Sequence, residues 1–211
     1  LGHFYNSLDA PIFARKFTAH IALLKMNEHG QDPNRINIIE SIPNKVSVGE
    51  FDVSFVPVSH SIPEASALII DSPAGRIVHS GDFKLDINPG IGKPFDKKIW
   101  SNIGDVKALV CDSTNVFSTQ AGKSEESVVE PIKKLISDCS GMVIATTFAS
   151  NIARVRTLAN IGVTSGRSVV LLGTALNRMI SAGFKTGVIT DFPAIVSPEE
   201  ALDIPRENLL L

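Results

Sequence analysis

The chain has 211 residues, of which 44% are hydrophobic and 20% charged, and 20 basic against 22 acidic side chains give a net charge of −2. This composition is typical of a folded globular protein and excludes a disordered or collagen-like chain. A total charge near zero excludes a wholly basic nucleic-acid coat, although a local basic groove is compatible with it.

The sequence also indicates in which cellular compartment the protein is expected. It contains no run of about 18 apolar residues, so we expect no transmembrane helix and no membrane partner. Its two cysteines, Cys111 and Cys139, are too few for a disulfide framework and are typical of a cytoplasmic protein.

Both ends of the sequence are unusual for a complete protein. The chain begins with Leu1 and has no signal-peptide pattern, and it closes on the apolar run 209–211, which is typical of a strand entering a core. Natural termini are usually exposed. We therefore expect an internal piece of a longer protein.

The first half alternates short apolar runs with turn residues, which favours a mostly antiparallel or mixed sheet. Thr18 is expected to cap a helix with an apolar face of Ile21, Ala22 and Leu24, closed by Gly30. Strands are predicted at 11–14, 36–39 and 51–55, a hairpin at 67–70 and 77–78 with a five-residue turn, and a buried strand at 106–111.

The second half alternates strands and helices with short loops, which indicates a parallel α/β layer. Ser124 should cap a helix that Pro131 kinks or restarts, and Ser197 and Glu200 form a capping box. Strands are predicted at 142–146, 169–172 and from Leu209, with helices at 151–161 and 175–182.

Polar side chains follow three of the predicted strands. His60 follows the alternating strand, Asp82 follows the hairpin, and Asp112 follows the next apolar run. An imidazole and a bridging carboxylate are suitable ligands for zinc or manganese, which convert bound water into a nucleophile. The spacing therefore favours a metal site at one sheet edge.

Simpler interpretations remain open for each of these residues. A histidine at a strand end is commonly a surface residue, and an aspartate before Ser-Thr-Asn is commonly a turn former or helix cap. Two ligands do not complete a zinc site. His79 is expected to be a supporting or core residue, and three other histidines are poor candidates: His3, His20 and His29.

Four strings, in order, resemble motifs of one family. They are Ser59-His60-Ser61-Ile62-Pro63-Glu64-Ala65, His79-Ser80-Gly81-Asp82-Phe83-Lys84-Leu85-Asp86, Asp112-Ser113-Thr114-Asn115 and Thr146-Thr147-Phe148-Ala149-Ser150-Asn151-Ile152-Ala153-Arg154-Val155. The sequence resembles ribonuclease J, a β-CASP member of the metallo-β-lactamase fold. The implied fold is α/β, with a partial αββα sandwich at 1–118 and part of a β-CASP domain with parallel strands at 119–211.

The resemblance implies roles for single residues. His60 would be a ligand to one of two zinc (or manganese) ions, and Asp82 would bridge both. Asp112 would lie beside the metals and orient ligands or assist proton transfer. Ser150 and Asn151 would begin a helix near an RNA channel, where a helix N-terminus can bind phosphate but capping is an equally adequate explanation.

The resemblance further implies RNA hydrolysis, both endonucleolytic and from the 5′ end, by a cytoplasmic homo-oligomer (dimer or tetramer). The family's His-x-His-x-Asp-His string and its later histidine motifs are absent from these residues. We therefore expect an incomplete metal site and an inactive fragment. The alternatives are another metallo-β-lactamase-fold hydrolase and a catalytically silent RNA-binding or assembly module.

Basic residues offer modest support for an RNA partner. They gather as Arg154, Arg156, Arg167, Arg178 and Lys185 in the second half and as Lys84, Lys93, Lys97 and Lys98 in the first. Such residues most often form a solvated face, and nonspecific phosphate contact is the alternative.

Overall fold

The computed structural model describes residues 4–120 and 122–211, so His3 lies outside the described residues. The strands are β1 (Ile12–Ala14), β2 (Ile36–Ile38), β3 (Lys45–Val48), β4 (Phe51–Pro57), β5 (Ser66–Ser72), β6 (Gly75–His79), β7 (Ala108–Val110), β8 (Ser168–Val169) and β9 (Leu209–Leu210). The α-helices are α1 (Lys16–Glu28), α2 (Lys97–Ser101), α3 (Val129–Asp138), α4 (Ile152–Thr164) and α5 (Thr174–Thr186). In the described part of the chain, no helix is long and apolar enough to cross a membrane.

The described residues divide into two compact units. The first is drawn from the described residues among 4–60, Glu64–Ile87 and 93–122, and the second from Ser61–Pro63, Asn88–Gly92 and Lys123–Leu211. The division is not contiguous in sequence. The sequence-based boundary at 118/119 stays a prediction.

A five-stranded mixed sheet forms most of the first unit, in the order β3-β4-β5-β6-β7. The β3 to β6 neighbours are antiparallel and β7 is parallel to β6, while β1 and β2 form a separate parallel pair. Val56 of β4 lies in a buried cluster, on the face of the strand that also carries Asp52 and Ser54 and opposite the alternating apolar residues 51, 53 and 55. The other members of that cluster are Val58, Ala67, Ile69 and Val78.

The second unit is built around short parallel strands. β8 pairs with β9, and Val143 pairs with Leu210 on the other side of β9. Helix α4 packs closely on this layer. A Cβ atom added at Gly162 would lie 2.6 Å from the Leu210 side chain and 2.7 Å from the Val169 side chain, closer than such contacts normally come. The predicted α/β class, with a mixed sheet followed by parallel strands, is confirmed.

Several local predictions are wrong in detail. Helix α1 begins at Lys16, before Thr18, and it buries Phe17, Ala19 and Met26 instead of the predicted face. The β5–β6 turn has two residues, because Ser72 pairs with Gly75. The predicted strand at 142–146 is reduced to a single β-bridge at Val143.

The strand at 106–111 was expected to be buried, and this is also wrong. All three residues of β7 are exposed, and β7 is the last strand of its sheet within the described residues. Pro131 lies in the first turn of α3, where a missing N–H leaves no bond of the helix unmade, and α3 continues through it to Asp138. The Ser197–Glu200 capping box is confirmed, with backbone-to-side-chain bonds of 3.0 and 3.2 Å, but it begins a 3₁₀ helix.

Candidate metal centre

The topology of the sheet brings the three predicted residues to one edge. Strand β5 is antiparallel to both β4 and β6, and β7 is parallel to β6, so β4, β6 and β7 end on the same side. His60, Asp82 and Asp112 follow these three strands. The sequence argument from strand exits therefore describes their placement correctly, while their roles as ligands stay predictions.

His60 and Asp82 lie close together. The Nε2 atom of His60 is 3.8 Å from the Oδ2 atom of Asp82, and 32% and 81% of the two side chains are exposed. The distance is too long for a hydrogen bond. Both side chains are accessible from solvent, so their donor atoms are open to a ligand.

Asp112 is held by its own turn. Its Oδ1 atom accepts a hydrogen bond from the Thr114 hydroxyl at 2.6 Å and another from the Thr114 N–H at 2.9 Å. These bonds, with a smaller effect of the nearby His60 imidazole, hold the pKa of the Asp112 carboxyl below its usual range. Asp112 therefore forms a turn, as the simpler interpretation of the sequence expected.

Two buried serines connect the three strand exits. Ser80 donates its N–H to the Val110 carbonyl and accepts the Asp112 N–H at its Oγ atom, both at 2.8 Å. Ser59 pairs through its backbone with Lys84, and its hydroxyl donates to the Asp86 carbonyl at 2.8 Å. Ser80 therefore fixes the position of Asp112 relative to Asp82. Ser59 fixes the position of His60 relative to residues 84–86, which follow Asp82.

Gly81 allows the close approach between these segments. Its φ is 59°, and a Cβ at this position would lie 3.1 Å from the Ser66 carbonyl oxygen. Its N–H donates to the Nδ1 atom of His79 at 3.0 Å. His79 is exposed, so the expectation of a core residue is wrong, and its ring supports the turn before Asp82.

The donors fit zinc or manganese in kind but not in number. Imidazole nitrogen and carboxylate oxygen are ordinary ligands of both ions. In the part of the chain that the structure describes, no three His, Cys, Asp or Glu side chains form a group that could hold a metal. His60 and Asp82 can therefore form only part of a coordination shell.

Ser150 and Asn151 lie at the start of α4, as predicted. Asn151 is buried, and its Oδ1 atom accepts the N–H of Arg154 at 3.0 Å. The carbonyl of Ser150 accepts the N–H of Ile152 at 3.0 Å. These bonds account for Asn151 as a helix cap, and its role toward a phosphate stays a prediction.

Several of the basic residues are occupied within the protein. Arg154 donates to both carboxylate oxygens of Glu125 at 2.9 and 3.1 Å, and Arg156 contacts the Gly90 carbonyl and Asp191. Arg167 is buried. These arginines stabilise the second unit, so they do not provide the solvated basic face expected from the sequence.

The sequence reasoning missed the supporting residues. Ser59, Ser80 and Glu64 stand inside the quoted strings, but their hydrogen-bond partners are 27 to 47 residues away. Periodicity carries no signal for such bonds. For Ser59 and Ser80, their place within two residues of His60 and Asp82 is a clue in the sequence, while Glu64 has none of that kind.

A family model matches the second half of the chain. Residues 140–211 match the model described as the ribonuclease J β-CASP domain. These residues are therefore similar to that domain family. The ribonuclease J resemblance that the four strings predicted is confirmed.

Curated relatives agree with this assignment. A ribonuclease J of Sinorhizobium meliloti is 35% identical over 100% of this chain, and one of Corynebacterium glutamicum is 37% identical over 96% of it. The chain spans only 38% and 28% of the length of these two relatives.

A solved structure shares the fold. A crystal structure of a protein of unknown function from Enterococcus faecalis matches 96% of this chain and 53% of its own chain, with a TM-score of 0.66. The sequence identity is 19%, so this likeness concerns the fold alone.

Proposed function

We propose that this chain is part of a metal-dependent ribonuclease that hydrolyses RNA phosphodiester bonds, both internally and from the 5′ end. The observation that carries the proposal is the meeting of three strand exits at one sheet edge, with His60 and Asp82 side chains 3.8 Å apart. The ribonuclease J relatives and the β-CASP match support the choice of RNA as the substrate.

Each residue has a distinct part in the proposed site. His60 and Asp82 would hold zinc or manganese, of which two ions are expected in the complete centre. Such ions lower the pKa of bound water and stabilise charge on a phosphate. Asp112 would orient these ligands or accept a proton, since Thr114 and Ser80 fix its carboxylate and its backbone. The complete centre requires further donors.

The proposal also assigns roles to residues outside the metal site. Ser150 and Asn151 would contact RNA at the start of α4, in addition to the hydrogen bonds by which they begin that helix. Both cysteines are free, which supports a reducing, cytoplasmic location. The family resemblance supports a homo-oligomer, dimer or tetramer, and light scattering after gel filtration would measure it.

The test uses the full-length gene product that contains this sequence and RNA with a 5′-monophosphate. We expect cleavage that depends on manganese or zinc and falls at least about 100-fold in Asp82→Ala, since a bound metal stabilises the transition state by several kcal/mol. The matched control is Asp105→Ala, an exposed aspartate just before β7, which should leave the rate unchanged. Undiminished cleavage by Asp82→Ala would contradict the bridging role.

A catalytically silent RNA-binding module is the second candidate. It is favoured by the lack of a three-donor metal group among residues 4–120 and 122–211. Metal analysis after dialysis of the 211-residue chain should find far less than two ions under either candidate. Full-length protein that binds RNA, retains no metal and does not cleave would support the silent module.

A further inference from the structure

The loop that carries His60 ends in a strained residue. Among the residues that the structure describes, Glu64 is the only one other than glycine with a positive φ, at 58°. An L-residue enters this left-handed region at a cost in free energy, and such strain persists only where surrounding contacts enforce it. The contacts of Glu64 therefore have to explain why its backbone keeps this conformation.

The Glu64 carboxylate binds the start of helix α1. Its Oε2 atom accepts the N–H of Phe17 at 2.6 Å, and its Oε1 atom accepts a hydrogen bond from Arg15 at 3.2 Å. Phe17 is the second residue of α1, where a backbone N–H has no partner inside the helix. The Arg15 side chain does not cap the helix, and its first turn contains no acidic residue. A carboxylate from a distant loop fills this place.

These contacts are sheltered and anchored. The side chains of Arg15 and Glu64 are only 13% and 22% exposed. Arg15 also donates to the Ile39 carbonyl at 2.7 Å and contacts Glu40 at 3.2 Å. The anchor for Glu64 is therefore a fixed part of the first unit, joined to both α1 and the segment after β2.

The opposite end of the loop is also fixed. The N–H of Val58 donates to the Ala65 carbonyl at 3.0 Å, which closes the base of the loop, and Ser59 is bound to the Asp86 segment. The His60 side chain approaches Asp82 at 3.8 Å, which is too far for a hydrogen bond that would fix the ring. The direction of the imidazole therefore depends on the backbone of residues 59–64.

We propose that Glu64 is a positioning residue for His60, and that its carboxylate holds the His60 loop against the N-terminus of α1 in the geometry that metal binding requires. This inference rests on the proposed function, because it assigns His60 to a metal. The Glu64 carboxylate is bound by Phe17 and Arg15 at the start of α1, so its effect on His60 passes through the backbone of the loop.

The main variant is Glu64→Asn, which separates the carboxylate from the backbone strain. Asparagine adopts the left-handed conformation more readily than glutamate, but its side chain is too short and uncharged to reproduce both contacts. A role of the backbone alone therefore predicts an unchanged or improved site. We expect instead that the manganese dissociation constant of the full-length gene product rises about 10–100-fold, as for other residues that orient ligands.

A second readout needs no metal. In the metal-free protein, amide hydrogen exchange of residues 58–65 should become faster in Glu64→Asn, together with that of residues 16–20. The matched control is Glu40→Gln, which removes a negative charge from the same Arg15 without touching the loop. It should leave both the manganese affinity and the exchange of residues 58–65 unchanged.

The outcomes separate this inference from the proposed function. Faster exchange confined to residues 16–20, with unchanged manganese affinity, would show that Glu64 is a helix cap only and would overturn the inference. If the unaltered protein neither binds manganese nor cleaves RNA, the proposed function fails, and the assignment of Glu64 to metal positioning fails with it. If Glu64→Asn does not fold, Arg15→Lys weakens the same contact from the α1 side and should cause smaller changes of the same kind.

Discussion

Strands β7 and β9 are both short, apolar and parallel to a neighbour, yet their surroundings are opposite. Leu109 and Val110 of β7 are 62% and 50% exposed, whereas Leu209 and Leu210 of β9 are 5% and 2% exposed. Strand β9 lies between β8 and the bridge at Val143, and α4 packs on it. Strand β7 pairs with β6 alone in the described part of the chain.

The difference shows what an apolar strand does and does not specify. An uninterrupted apolar run in a parallel sheet favours burial of both faces, but it does not specify which element covers them. Leu109 borders an apolar groove of about 250 Å³, together with Phe83 and Trp100. The same leucine side chain should therefore contribute very differently to stability in the two strands.

The largest contrast is expected from truncating one leucine in each strand. Leu210→Ala removes a buried side chain that contacts α4, and it should lower the free energy of unfolding by about 2–5 kcal/mol. Leu109→Ala removes an exposed side chain and should change it by less than about 0.5 kcal/mol. Urea unfolding of the 211-residue chain, followed by circular dichroism, measures both. Equal losses in the two variants would mean that β7 is covered in solution.

A second contrast concerns two arginines, one buried and one half-exposed. Arg167 is 8% exposed and donates only to backbone carbonyls, those of Ile136, Cys139, Gly141 and Leu209. Arg167→Met removes all four bonds, although the Leu209 carbonyl keeps a second donor in the Val143 N–H, and it should cost about 3 kcal/mol. Arg76 pairs with Asp71 and donates to the backbone carbonyl of Ile103, and the side chains of the pair are about a third exposed or more. Arg76→Met should therefore cost at most about 1 kcal/mol.

The same urea titration checks this pair. Arg167→Lys is the control for charge, since lysine keeps the cation but lacks the planar group that reaches several carbonyls at once. It should recover only part of the stability lost in Arg167→Met. Full recovery would mean that charge near the C-terminus of α3, and not the set of hydrogen bonds, stabilises the second unit.

Local chemistry explains which parts of the fold could be predicted. The Asn151 cap of α4, the alternation in β4 and the Ser197–Glu200 box each depend on residues within a few positions of one another. The start of α1 could not be predicted, because its N-terminal donor is bound by Glu64, 47 residues away. Strand β3 was missed because its four residues are too short a run to indicate a strand without their pairing to β4.

The candidate site likewise has features that the sequence predicts and features that it does not. The strand exits at His60, Asp82 and Asp112 follow from the hydrophobic pattern, since a polar residue directly after each apolar run marks the end of a strand. The bonds that fix their relative positions do not follow from it. Ser80 and Asp112 are 32 residues apart, and they meet only because β7 inserts beside β6.

The smallest expected effect again concerns the Asp71–Arg76 pair, through pH. The Arg76 guanidinium holds the pKa of the Asp71 carboxyl below its usual range. The pair therefore contributes its full stability above the unfolded-state pKa of about 3.9 and loses it as pH falls through the lower folded-state pKa. Because Asp71 is 41% exposed, we expect at most about 0.5 kcal/mol, reduced further by salt. The stability difference between the unaltered chain and Asp71→Asn should shrink as the pH of the urea titration is lowered from 6 toward about 2.5. The Arg167 contribution should stay constant over that range, since backbone carbonyls do not titrate, and a parallel loss at Arg167 would contradict the distinction between a carboxylate pair and a buried set of carbonyls.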